Sequence, residues 1–529
     1  MLYYTLTSGI FEFILPAEFK IKYFMKKLWF SRLLKVILIL FVTFIGAFIW
    51  ADNELNKVLG KSTKVINISS ILSPSKTTQI KNVNILSEDC SYFLKNQDVT
   101  IKNGLITQVG ENQLLDSTAR IIDGTNKFLI PGLVDSHVHL KESKNDLFLY
   151  LLNGVTYVRE MAGSPLILEW RKSIQKKGIG PRMFVASPPI FSESGLAGYY
   201  YSWTRQAINY SNTNTAEKAI SEISAQGYDG VKMYGFVNAE MFKTTIAIAK
   251  KHNIKVIGHI PLVNLETFYQ SGQGEVAHIE EITIKTIDEF GKSISKNPQE
   301  YLKFLKMHSD QIAKRLKENK ISVTSTLWLA ESFPKQRFAL KSKLQDIKLQ
   351  YVNPKIMEGT ILYKLGWLPG TNGYEYDGKN TYAAKKLSQT FWNTYVQAIH
   401  IMTKALVDHK VAIMAGTDSN VASVVPGFSL HDELESLSKA GMTNSQVLYS
   451  ATVAPGNWMK SNTGKIKIGY HSDLVLLAGN PLEDIKNTKT IQYVFFDQYT
   501  INKIQIKTIL KAIKDANNKN RNIKIDQYL

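Results

Sequence analysis

Two histidines separated by a single residue end an apolar run, which reads Leu129-Ile-Pro-Gly-Leu-Val-Asp-Ser-His137-Val-His139. In a β-strand, side chains two residues apart point to the same face, so we expect both imidazoles to project together from the end of a strand. Imidazole is a ligand for zinc and related metals, and a catalytic metal site needs further protein ligands. The pair alone could also be two histidines that lie near each other in a loop by coincidence. Other residues of the chain are needed to distinguish this from a metal site.

Other polar residues interrupt short apolar runs further along the chain. Of its ten histidines, four lie near the ends of such runs, and one lysine and one aspartate occupy similar positions. Because the carboxyl ends of barrel strands meet at one face, we expect these side chains to converge there. The sequence therefore predicts a metal site formed by His137, His139, Lys232, His259, His278 and Asp418.

Lys232 is the most discriminating member of this set. A buried ammonium beside metal cations would be repelled, so the lysine needs either a carboxylate partner or chemical modification. Carboxylation by carbon dioxide would turn its amine into an anion that can bridge two metals. The alternative is a lysine whose amine extends to the rim of a barrel.

The elements that must position these residues alternate short apolar strands with amphipathic helices. Eight such strands predict a (β/α)8 TIM barrel, an α/β fold, over residues 131–459. Residues 62–130 and 460–500 show alternating strands, with a hairpin signal at Asn103-Gly104, and predict a small β-sandwich domain built from both sides of the barrel. A long segment between the seventh and eighth strands, residues 328–408, is a candidate lid or substrate wall, or else a packing elaboration.

The N-terminal region carries an uncharged apolar run at residues 36–51, preceded by four basic residues between positions 26 and 35. This pattern predicts a signal peptide or membrane anchor over residues 25–51, with export across the cytoplasmic membrane to a periplasmic or membrane-anchored location. A buried core helix is the weaker alternative. Residues 1–24 are expected to be a non-native or disordered extension, and residues 501–529 a basic C-terminal tail.

Composition excludes several classes of function. The single cysteine, Cys90, rules out an intramolecular disulfide and a thiolate metal cluster. The net charge of +19 comes from lysines spread along the chain, without a basic motif with interleaved aromatics, so we expect no nucleic-acid partner. Attachment to a membrane and assembly into a homo-oligomer stay open.

These motifs resemble the amidohydrolase superfamily, in particular its binuclear members with a carboxylated lysine. The resemblance runs from about Ser62 to Asp497 and includes Pro131-Gly-Leu-Val-Asp-Ser-His-Val-His, Gly416-Thr-Asp-Ser and Ser472-Asp-Leu-Val-Leu-Leu-Ala-Gly. Three further segments are similar to the branch of imidazolonepropionase-like proteins and Xaa-Pro dipeptidases: Gly154-Val-Thr-Tyr-Val-Arg-Glu, Lys232-Met-Tyr and Ser429-Leu-His-Asp-Glu.

The resemblance implies two divalent metal ions, with zinc expected, and carbon dioxide as the source of the lysine carboxylate. His137, His139 and Asp418 would hold the more buried ion, His259 and His278 the more exposed one, and Lys232 would bridge both. A hydroxide between the ions would attack the carbonyl, and Asp418 would be the catalytic residue that carries its proton to the leaving group. The expected substrate is a small molecule or dipeptide with an amide, peptide or cyclic amide bond.

Two alternatives stay open at this stage. A lactonase or ester hydrolase could use the same two metals, and a catalytically silent, membrane-attached binding protein could keep the fold without turnover. A deaminase fits less well, because mononuclear deaminases of the superfamily lack the bridging lysine. Tyr234, two residues after Lys232 on the same face of the strand, could contact substrate, but a structural role is expected for it, as for His431.

Overall fold

The structure is a computed structural model that describes residues 17–114, 116–176, 178–360, 362–378 and 381–529, with backbone only for residues 17–23. The chain divides between Asn56 and Lys57 into a short N-terminal unit and a much larger C-terminal unit. Of the predicted N-terminal extension, residues 1–16 lie outside the described residues. Residues 17–24 belong to a helix.

Helix α1 (Ala17–Lys57) dominates the N-terminal unit. From Phe24 to Lys57 its mean hydropathy reaches 2.5, and within the described residues it is the single helix long and apolar enough to cross a membrane. The helical segment from Phe24 to Lys57 is about 50 Å long, which exceeds the thickness of about 30 Å of the hydrocarbon core of a bilayer. From Phe24 to Trp50 its apolar side chains are exposed, as a signal sequence or a membrane span requires.

The strands and helices that follow alternate along most of the chain. The strands are β1 (Thr77–Leu86), β2 (Phe93–Lys102), β3 (Leu105–Gly110), β4 (Arg120–Asp123), β5 (Phe128–Pro131), β6 (Leu133–Val138), β7 (Val155–Glu160), β8 (Arg182–Val185), β9 (Ile190–Phe191), β10 (Ile208–Asn209), β11 (Gly230–Met233), β12 (Lys255–Gly258), β13 (Glu275–Ala277), β14 (Ser322–Thr324), β15 (Ile413–Met414), β16 (Leu474–Leu477), β17 (Ile491–Phe496) and β18 (Tyr499–Asn502). The helices after α1 are α2 (Asn145–Leu152), α3 (Pro165–Gln175), α4 (Gly195–Thr204), α5 (Thr213–Gln226), α6 (Ala239–Lys251), α7 (Leu265–Tyr269), α8 (Ile279–Phe290), α9 (Pro298–Glu318), α10 (Leu327–Phe338), α11 (Leu340–Gln345), α12 (Pro354–Glu358), α13 (Tyr382–Asp408), α14 (Phe428–Lys439), α15 (Asn444–Ser450), α16 (Val453–Met459) and α17 (Lys503–Asn520). Short 3-10 helices cover Leu349–Tyr351, Ile485–Lys489 and Asp526–Tyr528.

The predicted TIM barrel is confirmed. Its eight strands form three parallel groups, β6–β7–β8, β11–β12 and β13–β14–β15, of which the second also carries the short strands β9 and β10. Backbone hydrogen bonds join neighbouring groups: Ser187 N–H donates to Gly230 O at 2.8 Å, Gly274 N–H to Val256 O at 3.4 Å, and Ser136 N–H to Ala415 O at 2.9 Å. These strands pair in parallel, so the ends that carry the candidate site residues lie on the same side of the barrel.

Asparagine residues start several of the helices that return to the next strand. The side chains of Asn212, Asn238 and Asn264 accept hydrogen bonds from the backbone N–H groups of the first turns of α5, α6 and α7. A short polar side chain at this position satisfies a helix N–H that otherwise has no partner within the helix. These caps set the point where each loop at the carboxyl end of a strand turns into its helix.

The β-domain draws on both sides of the barrel, as expected, and its strands join in one sheet of eight. β1 pairs with β4 along its first half and with β5 along its second half. Hydrogen bonds therefore join the strands of the predicted β-sandwich domain in one continuous sheet. The predicted hairpin at Asn103-Gly104 connects β2 and β3, and both residues have positive φ, which a two-residue type I′ turn requires.

The C-terminal segment differs from the predicted basic tail. α17 begins with a capping box between Asn502 and Gln505, and its residues Ile506, Ile509 and Ile513 are buried. These isoleucines pack in one apolar cluster with residues of α2 and β17. Isoleucines at helical spacing on a lysine-rich helix thus bind it to the barrel, with the lysines on its exposed side.

A buried ion pair crosses the barrel interior below the candidate site. Arg159 and Glu275 are both fully buried, and the guanidinium contacts the carboxylate. Replacing Arg159 with Leu should leave Glu275 buried without its counter-ion and lower the free energy of unfolding by about 3–5 kcal/mol. Urea denaturation measures this loss. Lys292→Leu, which removes the exposed pair with Glu300, is the control, and an equal loss in both variants would contradict this account.

Candidate active site

The six predicted site residues meet at the carboxyl ends of the barrel strands. His137 lies in β6 and Lys232 lies in β11. Strands β6, β12 and β13 are directly followed by His139, His259 and His278, and Asp418 lies four residues after the end of β15. The imidazole centroids of His137 and His278 are 4.4 Å apart, those of His259 and His278 are 5.0 Å apart, and those of His137 and His139 are 5.2 Å apart. Five separate strand ends therefore bring four imidazoles, one amine and one carboxylate into contact range.

Asp418 lies against the two histidines of the opening motif. Its Oδ1 is 2.9 Å from His139 Nε2 and 3.4 Å from His137 Nε2. Its backbone is left-handed, with φ of +60°, and its N–H donates to His137 O at 2.8 Å. Burial alone would raise the pKa of Asp418, but the hydrogen bond and charge of His139, with the charges of His278 and Lys232, bring it below its ordinary value.

His278 is held by the end of the next strand. Its Nδ1 is 2.9 Å from the hydroxyl of Thr326, and its N–H donates to Thr324 O at 3.0 Å. Burial is the main cause that lowers the pKa of His278 to about 3, so the ring is neutral at neutral pH. Both His278 and Thr326 have positive φ, a strained conformation for these residue types that is found preferentially at functional sites.

His259 is oriented by a carboxylate. Its Nδ1 lies 2.7 Å from Glu281 Oε1, and Glu281 Oε2 accepts the N–H of Ile260 at 3.2 Å. Burial would raise the pKa of Glu281, but the charge and hydrogen bond of His259 lower it below its ordinary value. A carboxylate on Nδ1 fixes the ring and leaves Nε2 as the nitrogen that can act as a ligand.

Lys232 occupies the interior of this cluster. Its side chain is 1% exposed, and its Nζ has no hydrogen-bond partner among the described residues. Burial lowers the pKa of Lys232 to about 8, although the charges of Asp418, Glu275 and Glu281 oppose that shift. A buried amine without a partner is costly, and a lowered pKa leaves part of it neutral near physiological pH.

Two further residues support the His139 loop, and sequence reasoning assigned neither a role. Glu160, at the end of β7, accepts the N–H groups of Leu140 at 2.6 Å and Ala162 at 2.8 Å, and lies 3.9 Å from His139 Nδ1. Asn420 donates to His139 O and to Asp146 Oδ2, both at 2.8 Å. Their positions could have indicated a role at the site. Glu160 ends a barrel strand, and Asn420 lies two residues after Asp418.

The long segment after the seventh strand contributes to the same place. Tyr374 lies in the predicted lid or wall and packs on Phe333 with ring centroids 4.9 Å apart. Burial raises the pKa of Tyr374, and the charges of Glu280 and Asp418 raise it further. Tyr395, in α13 of the same segment, donates to Oε2 of Glu280 at 3.3 Å, next to Glu281, and this contact favours the substrate-wall interpretation of the segment.

The two residues expected to be structural differ from each other. His431 in α14 is buried, and its Nδ1 is 3.0 Å from the hydroxyl of Thr488, in a 3-10 helix that belongs to neither the site nor its loops. Tyr234 instead stacks on His259, with ring centroids 4.4 Å apart. Its position two residues after Lys232 was the signal that it shares the site.

The profile of the amidohydrolase family matches residues 128–501, which is more than half of the chain. The chain belongs to the amidohydrolase family. The matched range covers all six site residues.

Individual relatives are more distant. A dihydroorotase from Halalkalibacterium halodurans is 42% identical over 65 residues, which are 12% of this amidohydrolase and only 14% of that protein. The solved structure of a bottromycin amidohydrolase superposes with a TM-score of 0.66 at 19% identity, covering 88% of this chain and 96% of the other. A Xaa-Pro dipeptidase with bound methionine has a TM-score of 0.58 at 16% identity, covering 80% and 100%. At such identities the structural likeness shows the shared fold.

The buried imidazole of His431 predicts a pH-dependent stability outside the site. Burial, with the nearby charge of Lys489, lowers its pKa to about 3, so the unfolded chain binds a proton that the folded chain excludes. Its contribution is complete above about pH 6.5 and declines toward pH 3, by at most about 1.4 kcal/mol per pH unit. His431→Gln should lose this slope, measured as the free energy of unfolding by urea at several pH values. Thr488→Val keeps the histidine and should keep the slope; identical slopes in wild type and His431→Gln would refute this assignment.

Proposed function

We propose that this amidohydrolase is a metal-dependent hydrolase that cleaves a carbon–nitrogen bond in a small substrate, an amide, peptide or cyclic amide. The observation that carries the proposal is the amine of Lys232, buried without a hydrogen-bond partner in the described part of the chain, among histidines and an aspartate on four other strand ends. Imidazoles and a carboxylate around such an amine are the ligand set of a cation site.

The residues present fit divalent metal ions. Both ring nitrogens of His137 are buried without a hydrogen-bond partner among the described residues. Ligand atoms of His137, His278 and Asp418 lie within 4.8 Å of one another. Imidazole nitrogens with a carboxylate oxygen suit zinc. His137, His139 and Asp418 would hold one ion, His259 and His278 would hold a second, and carboxylated Lys232 would be a ligand of both.

Carboxylation of Lys232 resolves its burial. The neutral amine attacks carbon dioxide, forming a new nitrogen–carbon bond and releasing one proton, and the product is an anionic carbamate. Because burial lowers the pKa of Lys232 to about 8, a fraction of the amine is already neutral under physiological conditions. The carbamate supplies the negative charge that two adjacent cations require.

The bound ions would polarise the scissile carbonyl and bring the pKa of a water toward about 7. Asp418 then serves as the proton carrier. Since its pKa lies below the ordinary value, it is ionised before reaction, and Oδ1 can accept a proton and deliver it to the departing nitrogen. Glu281 and Thr326 hold the rings of His259 and His278 in place during this transfer.

The substrate class follows from two supporting observations. The segments around Glu160, Lys232 and His431 are similar to Xaa-Pro dipeptidases, and a structure of such an enzyme shares the fold. A Xaa-Pro dipeptide is therefore the first substrate to test. Lactones and esters belong in the same screen, because a polarised carbonyl is attacked in the same way whether its leaving atom is nitrogen or oxygen.

Helix α1 is proposed to direct the catalytic unit across the cytoplasmic membrane, as an anchor or a cleaved signal. Support comes from its exposed apolar surface and from the basic residues that precede its apolar run. Cell fractionation with mass spectrometry of the full-length product provides the test. Intact mass in the membrane fraction indicates an anchor, and a shortened exported protein indicates a signal. Intact protein in the soluble cytoplasm would contradict export.

Lys232→Met should abolish the bridge. After loading with zinc and bicarbonate, elemental analysis should find two ions per wild-type chain and fewer in the variant. Its kcat/KM for Xaa-Pro dipeptides should fall by more than about 100-fold. Lys343→Met is the matched control, because Lys343 is also 1% exposed with a pKa lowered by burial to about 8, yet its Nζ lies 3.7 Å from the ring of Trp328, outside the site.

The result separates three accounts of the site. Loss of metal and activity in Lys232→Met alone supports the binuclear hydrolase. Full metal content and activity in that variant would refute the bridge. Wild-type protein that binds metal but cleaves neither dipeptides nor lactones would refute the hydrolase and favour a silent binding protein.

A further inference from the structure

Four aromatic side chains form a stack that begins at the candidate site and ends at the rim of the barrel. Tyr234 lies 4.4 Å from the ring of His259, Phe191 lies 5.0 Å from Tyr234, and Tyr201 lies 5.1 Å from Phe191. Phe236 completes it, with centroids 6.0 Å from Phe191 and 6.1 Å from Tyr201. Among these four rings, the planes of each contacting pair, including Tyr234 with Phe236, are tilted by at most 28° to each other. We call Tyr234, Phe191, Tyr201 and Phe236 the aromatic wall.

The aromatic wall changes from buried to exposed along its length. Phe191 is 1% exposed, whereas Phe236 is 48% exposed. The neighbouring helix α4 adds Tyr199, at 78% exposed, and Tyr200, at 54%. A stack that served only as packing would be closed to water, because exposed rings contribute little to folding. This one is anchored in the barrel and opens outward.

The chain builds the aromatic wall from two neighbouring segments at the catalytic end of the barrel, β9 with helix α4, which carries Tyr201, and the loop after β11. Phe191 ends β9, which pairs in parallel with β11 at Met233, immediately before Tyr234. Ser192 ties the loops together, since its hydroxyl accepts the N–H of Asn238 at 2.8 Å and donates to Phe236 O at 3.4 Å. Loops at this end of a TIM barrel form its substrate site.

We propose that the aromatic wall is the specificity surface of this site and that the substrate carries an aromatic or large apolar side chain beside the scissile bond. The inference rests on the proposed function for the reaction at the site. A flat apolar group gains stacking contact and loses water against parallel rings. A charged side chain placed there would lose hydration without receiving a counter-ion from the wall.

The proposal is tested by binding, so that its outcome does not depend on turnover. Full-chain protein loaded with zinc and bicarbonate is titrated by calorimetry with L-phenylalanine and with L-alanine, which are products of the proposed cleavage. We expect the Kd of L-phenylalanine to be at least tenfold lower, a ratio equivalent to about 1.4 kcal/mol. Phe236→Ala should reduce the ratio below threefold, and Phe236→Tyr should restore it.

Tyr92→Ala is the control, because Tyr92 is 54% exposed in the β-domain and should leave the ratio unchanged. Equal affinities in wild type, no detectable binding of L-phenylalanine at millimolar concentration, or a preserved ratio in both Phe236→Ala and Tyr201→Ala would overturn the proposal. Hydrolysis of Phe-Pro and Ala-Pro is measured in parallel. Preferential binding without hydrolysis of either would contradict cleavage of Xaa-Pro dipeptides and leave the specificity surface standing.

Discussion

The structure depends on the burial of one amine. Lys232 occupies the carboxyl end of a barrel strand at 1% exposure, where a permanent ammonium would lack both water and a hydrogen-bond partner among the described residues. Burial disfavours its charged form and thereby makes the amine available for carboxylation. Conversion of this amine to an anion would change the charge at its position from positive to negative. Neutral imidazoles and the ionised Asp418 would then surround a site that attracts cations.

The polar groups around this amine are held by the fold in forms that suit metal binding. Burial keeps His137 and His278 neutral, since it lowers the pKa of both rings well below the ordinary value of histidine. Positive φ angles at His278 and Asp418 turn each side chain at the point where its strand ends. The cluster is thus preorganised by backbone conformation and by partners such as Glu281. These arrangements lower the stability of the fold, and the packing of the apolar barrel offsets that loss.

Much of this arrangement could be predicted from the sequence, because the signals are local. Apolar runs ending in His137, Lys232 or Asp418 define both the strands and the side of the barrel on which their polar residues lie. Asn103-Gly104 likewise identifies a turn by its backbone requirement. Pairings over long sequence distances lack such signals. The partnership of Thr326 with His278, the stacking of Tyr234 on His259 and the joining of the β-domain strands through β1 all depend on the folded barrel. The last helix was missed because its lysines outweigh the buried isoleucines in composition.

The central claim is that Lys232 carries a carboxylate, and carbon-13 NMR tests it most directly. Protein loaded with zinc and with carbon-13 bicarbonate should show one carbamate resonance that is absent from Lys232→Met and present in Lys343→Met. Acid denaturation should release the label as carbon dioxide. A wild-type spectrum without a carbamate resonance, from protein that holds its metal and is active, would contradict the account.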